Sequence, residues 1–288
     1  MKEKIKKWIC EIIYQLYRHH ILNNKLEVAS IEETIAVLQN SDKSIVRYGD
    51  AEIRMVEGHS VEFQKYDAVL AERLQNILQF NNDKLLVGIP DIFSSLEMYT
   101  DRSKQFWKEH LLFSRRTYEK YCNKNKKYYN AFISRMYYIF EDKKQCEIWF
   151  QNMKQIWENK EILVVEGEVS HNGVGNDLFD NAKKIERIIC PSRNAFFSYA
   201  KILNACLMFP KETLILSSIG NTAKVLAQDL VEAGYRVIDI GNLDMEYEWF
   251  LKRVEEKSLV LKHKITGVEA NQKAGYYEYL EQVKIWIS

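Results

Sequence analysis

Residues 213–242 read TLILSSIGNTAKVLAQDLVEAGYRVIDIGN. Leu214–Leu216 and Val237–Ile240 are short apolar runs without polar alternation, the mark of strands buried on both faces. Thr222–Glu232 between them has the composition of a helix. Outward from this unit, Ile162–Val165 and Arg187–Cys190 are two more such strands, and Phe196–Leu207 is a further helix. Toward the N-terminus, Ser44–Tyr48 and Leu85–Ile89 (stopped by Pro90) are strands and Asp67–Phe80 is an amphipathic helix. Another helix begins at Ser30, where Glu33 three residues on completes a capping box. The stretch from about 96 to 157 is mostly helical, with one strand near Tyr129–Ile133. Strands alternating with helices give an α/β class: a doubly wound, mostly parallel sheet with a helical insertion. The expected organisation is an N-terminal basic amphipathic helix over 1–28 and one domain over 29–288.

Composition sets the outer limits. The chain has 288 residues, 47% hydrophobic and 28% charged, enough for a sizeable core without staples. Lys+Arg 41 against Asp+Glu 40 leaves no global basic field, so nucleic acid is not an expected partner. Five cysteines, widely spaced and without a CxxC pair, argue for reduced thiols and a cytoplasmic setting. No apolar run reaches the roughly 18 residues of a membrane span. Neither a zinc-type HExxH nor a GxSxG nucleophile elbow occurs.

Ligands of such sheets bind beyond the carboxyl ends of the strands. After the first strand comes Arg47-Tyr48-Gly49-Asp50-Ala51-Glu52. Asp50 and Glu52 are hard oxygen ligands that could share a divalent ion with phosphates, and Arg47 could fork onto a phosphate; a surface accident is the bland alternative. After Val165, the run Glu166–Asp177 places Gly173 and Gly175 before Asn176 and Asp177, where a helix is expected to start. That is an anion site or merely a capped tight turn. After Leu216, the turn with Ser218, Gly220 and Thr222 has the same character. After Ile240 come Asn242, Asp244, Glu246 and Glu248, either a functional acidic cluster or carboxylates favoured by a helix dipole.

Read together, these turns resemble the GT-D-type glycosyltransferases, a bacterial family. The resemblance rests on RYGDAE (47–52), GHSVEFQKYD (58–67), GIPDIF (88–93), FISRMY (132–137), VVEGEVSHNGVGNDLFDNA (164–182), RIICPSRNAF (187–196), SSIGNTAKVLAQDL (217–230) and YRVIDIGNLDMEYEWF (235–250). It covers roughly residues 30–270. It implies a Rossmann-like transferase that moves a sugar from a UDP-sugar to a glycan, glycoprotein or lipid-linked saccharide. The metal motif would be Asp50 and Glu52, holding Mn2+ (or Mg2+) against the charge on departing UDP. The UDP-sugar pocket would draw on Arg47, Gly173, Gly175, Asn176, Asp177, Ser218, Gly220, Thr222, Asn242 and Asp244. Glu246 or Glu248 would be the base toward the acceptor hydroxyl. His171, Asn221 and Asn242 depart from the residues usual in the family, arginine, proline and histidine. Both metal carboxylates are expected to be dispensable for stability. The competing readings of the same motifs are a non-catalytic nucleotide-sugar-binding protein and a metal-dependent phosphoesterase.

Residues 2–22 carry Ile5, Trp8, Ile9, Ile12, Ile13 and Leu16 at helical spacing, with Lys2, Lys4, Lys6, Lys7 and Arg18 on other faces. This is the layout of an interfacial helix in peripheral contact with the inner membrane face; a stripe packed on the body or on a second subunit is the alternative.

Overall fold

The computed structural model describes residues 2–19, 21–22, 26–80, 82–255, 257–263 and 275–288. The strands in chain order are β1 (Glu27–Val28), β2 (Ser44–Arg47), β3 (Leu85–Ile89), β4 (Lys127–Asn130), β5 (Glu161–Gly167), β6 (Lys184–Cys190), β7 (Leu214–Ser218), β8 (Arg236–Asp239) and β9 (Val283–Trp286). They form one sheet in the order β1-β4-β3-β2-β8-β7-β5-β6-β9. Every strand pairing between described residues is parallel. The fold class is therefore α/β, as the apolar runs predict. Ile45, Val46, Val87, Leu163, Val164, Ile215, Leu216, Val237 and Ile238 are fully buried at its centre.

Helices cover both faces. On one, α1 (Lys2–Arg18) packs on α5 (Asp101–Tyr121), followed by α4 (Ala68–Gln79), α8 (Thr222–Glu232) and α7 (Tyr199–Cys206); the short α3 (Asp50–Val56) joins α4 and α5. On the other, α2 (Ile31–Gln39) packs on α6 (Cys146–Gln155), which meets α9 (Leu243–Leu251). The last helix is α10 (Tyr276–Gln282). Ser30 caps α2 by accepting the Glu33 N–H, and Asp67 caps α4 by accepting two N–H groups.

Three features differ from the sequence reading. The strand expected near Tyr129–Ile133 is present but shifted, as β4 over Lys127–Asn130 between β1 and β3, and a 3-10 turn follows it at Ala131–Ser134. The two-residue β1 and the half-exposed β9 are also new, because neither has a buried apolar run to announce it. No helix starts at Asp177–Phe179; 168–183 is a series of turns. Its capping groups are engaged elsewhere: Asp177 accepts from the Tyr247 hydroxyl (2.6 Å) and pairs with Lys154 (2.6 Å).

The strand order reverses between β2 and β8. From β2 the chain proceeds outward through β3 and β4, while β8 belongs to the half built from β5 to β7. The crevice that such a reversal opens at the carboxyl ends is the expected ligand site.

Candidate active site

At that crevice the end of each central strand carries a charge. Asp239, the last residue of β8, is 1% exposed and accepts from Arg47 at the end of β2: Oδ1 from Nη2 (2.9 Å) and Oδ2 from the backbone N–H (3.1 Å). Its other neighbour is the buried Lys224 of α8, whose Nζ is 3.1 Å from Asp239 Oδ2 and 2.9 Å from Glu52 Oε1. Glu52 is itself 5% exposed, and its Oε2 accepts the Gly49 N–H (2.7 Å), closing the first turn of α3. The result is a chain of alternating sign, Arg47–Asp239–Lys224–Glu52. Burial alone would raise the Asp239 carboxyl; Arg47 and Lys224 outweigh it and hold the pKa below the ordinary value. Gly241 makes this possible: at φ +43°, any Cβ there would lie 1.9 Å from Arg47 Nη2.

The floor of a cleft of about 870 Å3 rests on this chain. One end is built from Gly167, Ser170, Ser192, Ser218 and Gly220, with Phe63 overhanging. Gly220 (φ +57°) is needed there, because a Cβ would come within 2.5 Å of the Phe63 ring. The other end is cationic: Arg54, Arg102, Arg135 and Lys257 line it. Arg102 reaches the Tyr138 hydroxyl (3.4 Å), and the Lys257 ammonium lies 5.2 Å from the Tyr138 ring centre. Burial, then the nearby Arg135 and Arg102, lower the pKa of Lys257 against the opposing pull of Glu246 and Asp50.

The sequence-derived site residues divide into two groups. Arg47, Asp50, Glu52, Ser218, Gly220 and Asn242 all line the cleft. Asp50 is half-buried and, among the described residues, has no hydrogen-bond partner. Glu52 is different: both oxygens are committed, so the expectation that it is dispensable for the fold is corrected. Arg47 is likewise committed, to Asp239 and to the Ala131 carbonyl (3.2 Å). Thr222 is fully buried and does not line the cleft.

Gly173, Gly175, Asn176, Asp177, Asp244, Glu246 and Glu248 are not among the cleft residues either. Asp244 is fully buried, and its Oδ1 accepts from Gly173 N–H (2.8 Å), Asn176 Nδ2 (2.9 Å) and Lys262 Nζ (2.9 Å). His263 Nε2 meets its Oδ2 at 2.7 Å. Burial opposes ionisation of Asp244, but His263 and Lys262 prevail and bring its pKa down to about 2. Glu248 shares Lys262 (3.0 Å) and Asn176 (2.8 Å). The glycine loop is thus a lacing point for Lys262 and His263, with the Gly173 N–H turned to a carboxylate of the protein. Gly175 lies beside Gly275. His171, which stands in the family's arginine position, is buried in the same region, with Nδ1 2.7 Å from the Lys262 carbonyl.

Glu246 accepts the Tyr137 and Tyr138 N–H groups on Oε2 (3.0 and 2.8 Å), and its Oε1 lies 3.5 Å from Arg135. Burial raises its pKa despite Arg135 and the two N–H groups. A fully buried carboxylate so held anchors the loop that carries Arg135 into the cleft; it is not open to an acceptor hydroxyl.

Sequence reasoning passed over Asp239, Lys224, Arg102, Arg135 and Lys257 as individual residues. The first two had a signal. A carboxylate inside the apolar run VIDI and a lysine on an otherwise apolar helix face are charges that burial tolerates only in pairs.

With the fold and cleft in hand, the comparisons are direct. The family model of the glycosyltransferase GT-D fold matches residues 45–268, and the chain belongs to this family. It is 41% identical over 244 residues to a Streptococcus gordonii protein named probable glycosyl transferase Gly, covering 84% of this chain and 36% of that protein. It is 40% identical over 243 residues to glycosyltransferase GlyD of Streptococcus pneumoniae serotype 4, covering 84% of this chain and 30% of that protein. The chain therefore spans about a third of the length of these relatives. A solved structure described as a new glycosyltransferase from Streptococcus sanguinis superposes with a TM-score of 0.84 at 39% identity, covering 91% of this chain and all of that one. Another, described as having a distinct glycosyltransferase fold, gives 0.86 at 36% identity over 98% of this chain and all of that one.

Two measurements check the buried networks. Glu52→Gln should lower the melting temperature by about 5–10 °C, since it strips a buried ion of its partner, a loss of roughly 3 kcal/mol; calorimetry reads it, and an unchanged melting point would return Glu52 to the surface-motif reading. Asp244 is the second. Its folded pKa is depressed, so its contribution to stability is complete above its ordinary 3.8 and drains away as pH falls toward about 2. Urea midpoints between pH 5 and 2 should fall more steeply in wild type than in Asp244→Asn, which should already be destabilised at pH 7.

Proposed function

We propose that this chain transfers a sugar from a UDP-sugar to the hydroxyl of a saccharide, glycoprotein or lipid-linked acceptor, with a divalent ion, Mn2+ or Mg2+, at Asp50. The observation that carries the reading is a crevice at the strand reversal lined by the uncommitted carboxylate of Asp50 together with four cations, Arg54, Arg102, Arg135 and Lys257. Membership of the GT-D family and the names of its relatives support the transferase class.

The donor set can be tested against the ion. Among the described residues no three His, Cys, Asp or Glu side chains gather as an all-protein site. Of the DAE pair only Asp50 is uncommitted, and hard divalent ions are commonly held by one or two carboxylates with substrate phosphates and water filling the rest. Asp50 fits that mode; Glu52, engaged by Lys224 and the Gly49 N–H, supports it from behind. When bound, such an ion supplies Lewis-acid neutralisation of the leaving diphosphate.

The chain's own cations serve the same end. Charge accumulates on the diphosphate as the bond to the sugar breaks, and fixed positive groups in a part-enclosed cleft stabilise it without reorganising. Arg135 is held for this by Glu246 and Lys257 by its packing near Tyr138. The glycine- and serine-rich end, with Phe63 at its edge, suits the uridine, where backbone can approach closely.

Thermal-shift titration with UDP and Mn2+, followed by a UDP-sugar panel read as UDP release, tests the proposal. Stabilisation by UDP should exceed that by UMP and grow with Mn2+. Asp50→Asn should cut UDP release at least tenfold with the melting temperature within about 2 °C of wild type. Lys257→Met should weaken UDP binding about tenfold. Tight UDP binding without turnover of any UDP-sugar would turn the reading to a non-catalytic binding protein.

A further inference from the structure

The N-terminal helix has two apolar faces. Cys10, Tyr14 and Tyr17 face the body and are at most 2% exposed. The Leu96 N–H donates to the Tyr14 hydroxyl (2.9 Å), and the Tyr17 hydroxyl donates to Glu119 (2.8 Å). Lys6–Glu109 (2.6 Å) and Lys108–Glu11 (2.5 Å) fasten the same contact to α5. The helix is thus fixed without using its second face. That face is Ile5 (50% exposed), Trp8 (66%), Ile9 (38%) and Ile12 (38%). Phe113 of α5, 68% exposed, lies beside it with the Lys6 ammonium 5.7 Å from its ring centre. Of the six-residue stripe expected from the sequence, Ile13 and Leu16 are half-buried, Ile13 against the core, and the four outer residues are exposed.

We infer that the outer face of α1 is a docking surface for an anionic lipid bilayer. Three observations choose this occupant. The exposed apolar residues form a continuous helical stripe with a tryptophan in it, the arrangement that seats a helix in the plane of an interface. Lys4 and Lys7 are exposed on the adjoining face, with Arg18 at the far end, against a single exposed carboxylate of the helix, Glu3. No helix among the described residues is long and apolar enough to cross a membrane, so contact would be along the surface. The position also connects with the cleft. On α5, Phe106 and Trp107 line it, while Lys108 and Glu109 in the next positions hold α1. A bilayer against α1 would bring its surface to the cationic end of the cleft. None of this depends on the identity of the sugar donor.

Vesicle co-sedimentation of the full chain decides the matter. The wild type should bind vesicles containing about 30% phosphatidylglycerol at least tenfold more tightly than pure phosphatidylcholine, and raised salt should weaken the binding. The double variant Trp8→Ser/Ile9→Ser changes only exposed side chains. It should lose at least tenfold in vesicle affinity while keeping its melting temperature. Lys4→Glu/Lys7→Glu should lose the preference for the anionic lipid. Equal binding by wild type and the serine variant would overturn the inference. So would a wild-type dimer in light scattering that the serine variant dissolves and that vesicles fail to compete with, since the stripe would then be a contact between two copies.

Discussion

Lys224 is the hinge of the site's electrostatics. It is a lysine 4% exposed, and it is tolerable there only because Glu52 and Asp239 flank it at 2.9 and 3.1 Å. Through these partners it ties α8 to α3 and β8, and Arg47 extends the tie to β2 and residue 131. The two halves of the sheet meet along the β2–β8 pairing, described at a single register point, Ile45 with Ile238. The alternating charges brace that seam where the strand order reverses. They also decide which half of the DAE motif is available: Glu52 completes the fold, and Asp50 looks outward.

A charge chain of this kind contributes more to definition than to net stability, because desolvation of four ions offsets much of their attraction. Removing one member leaves a buried neighbour with less compensation than its desolvation requires, which is why each is needed while the others stand. Gly241 belongs to the same constraint, its missing Cβ leaving the space that the Arg47 guanidinium fills.

The sheet was largely legible in the sequence because its central strands are built around apolar runs, and β3 and α8 keep the boundaries read from Leu85–Ile89 and Thr222–Glu232. Strands lacking that signal, such as Glu27–Val28, were not legible. The site was legible only where residues follow a strand directly: Arg47, Asp50, Glu52, Ser218, Gly220 and Asn242 do, and they converge. Gly173–Asp177 also follows a strand, yet its Gly173 N–H and Asn176 side-chain amide turn to Asp244, 71 and 68 residues away, a partner that no local spacing reveals. Periodicity and turn chemistry report local conformation; a loop's partner is set by tertiary packing. The cations at the far end, Arg102, Arg135 and Lys257, come from three separate segments and are united only by the fold.

Helix α9 shows the same lesson in compressed form. Asp244, Glu246 and Glu248 occupy its first turns, where the helix dipole alone would account for acidic residues. A dipole requires only that they be near the N-terminus, with side chains in water. Here each is buried or nearly so, and the three divide the work. Asp244 gathers the glycine loop and Lys262–His263, Glu246 gathers the Tyr137–Tyr138 turn, and Glu248 gathers Asn176 and Lys252. At about 100° per residue Asp244 and Glu248, four apart, share a face and both meet Asn176 and Lys262, while Glu246 between them points to the other side and the Tyr137–Tyr138 turn. Asn242 precedes them on the cleft side and is exposed. One nine-residue helix therefore sets the loops behind the cleft and contributes its leading residue to the cleft itself.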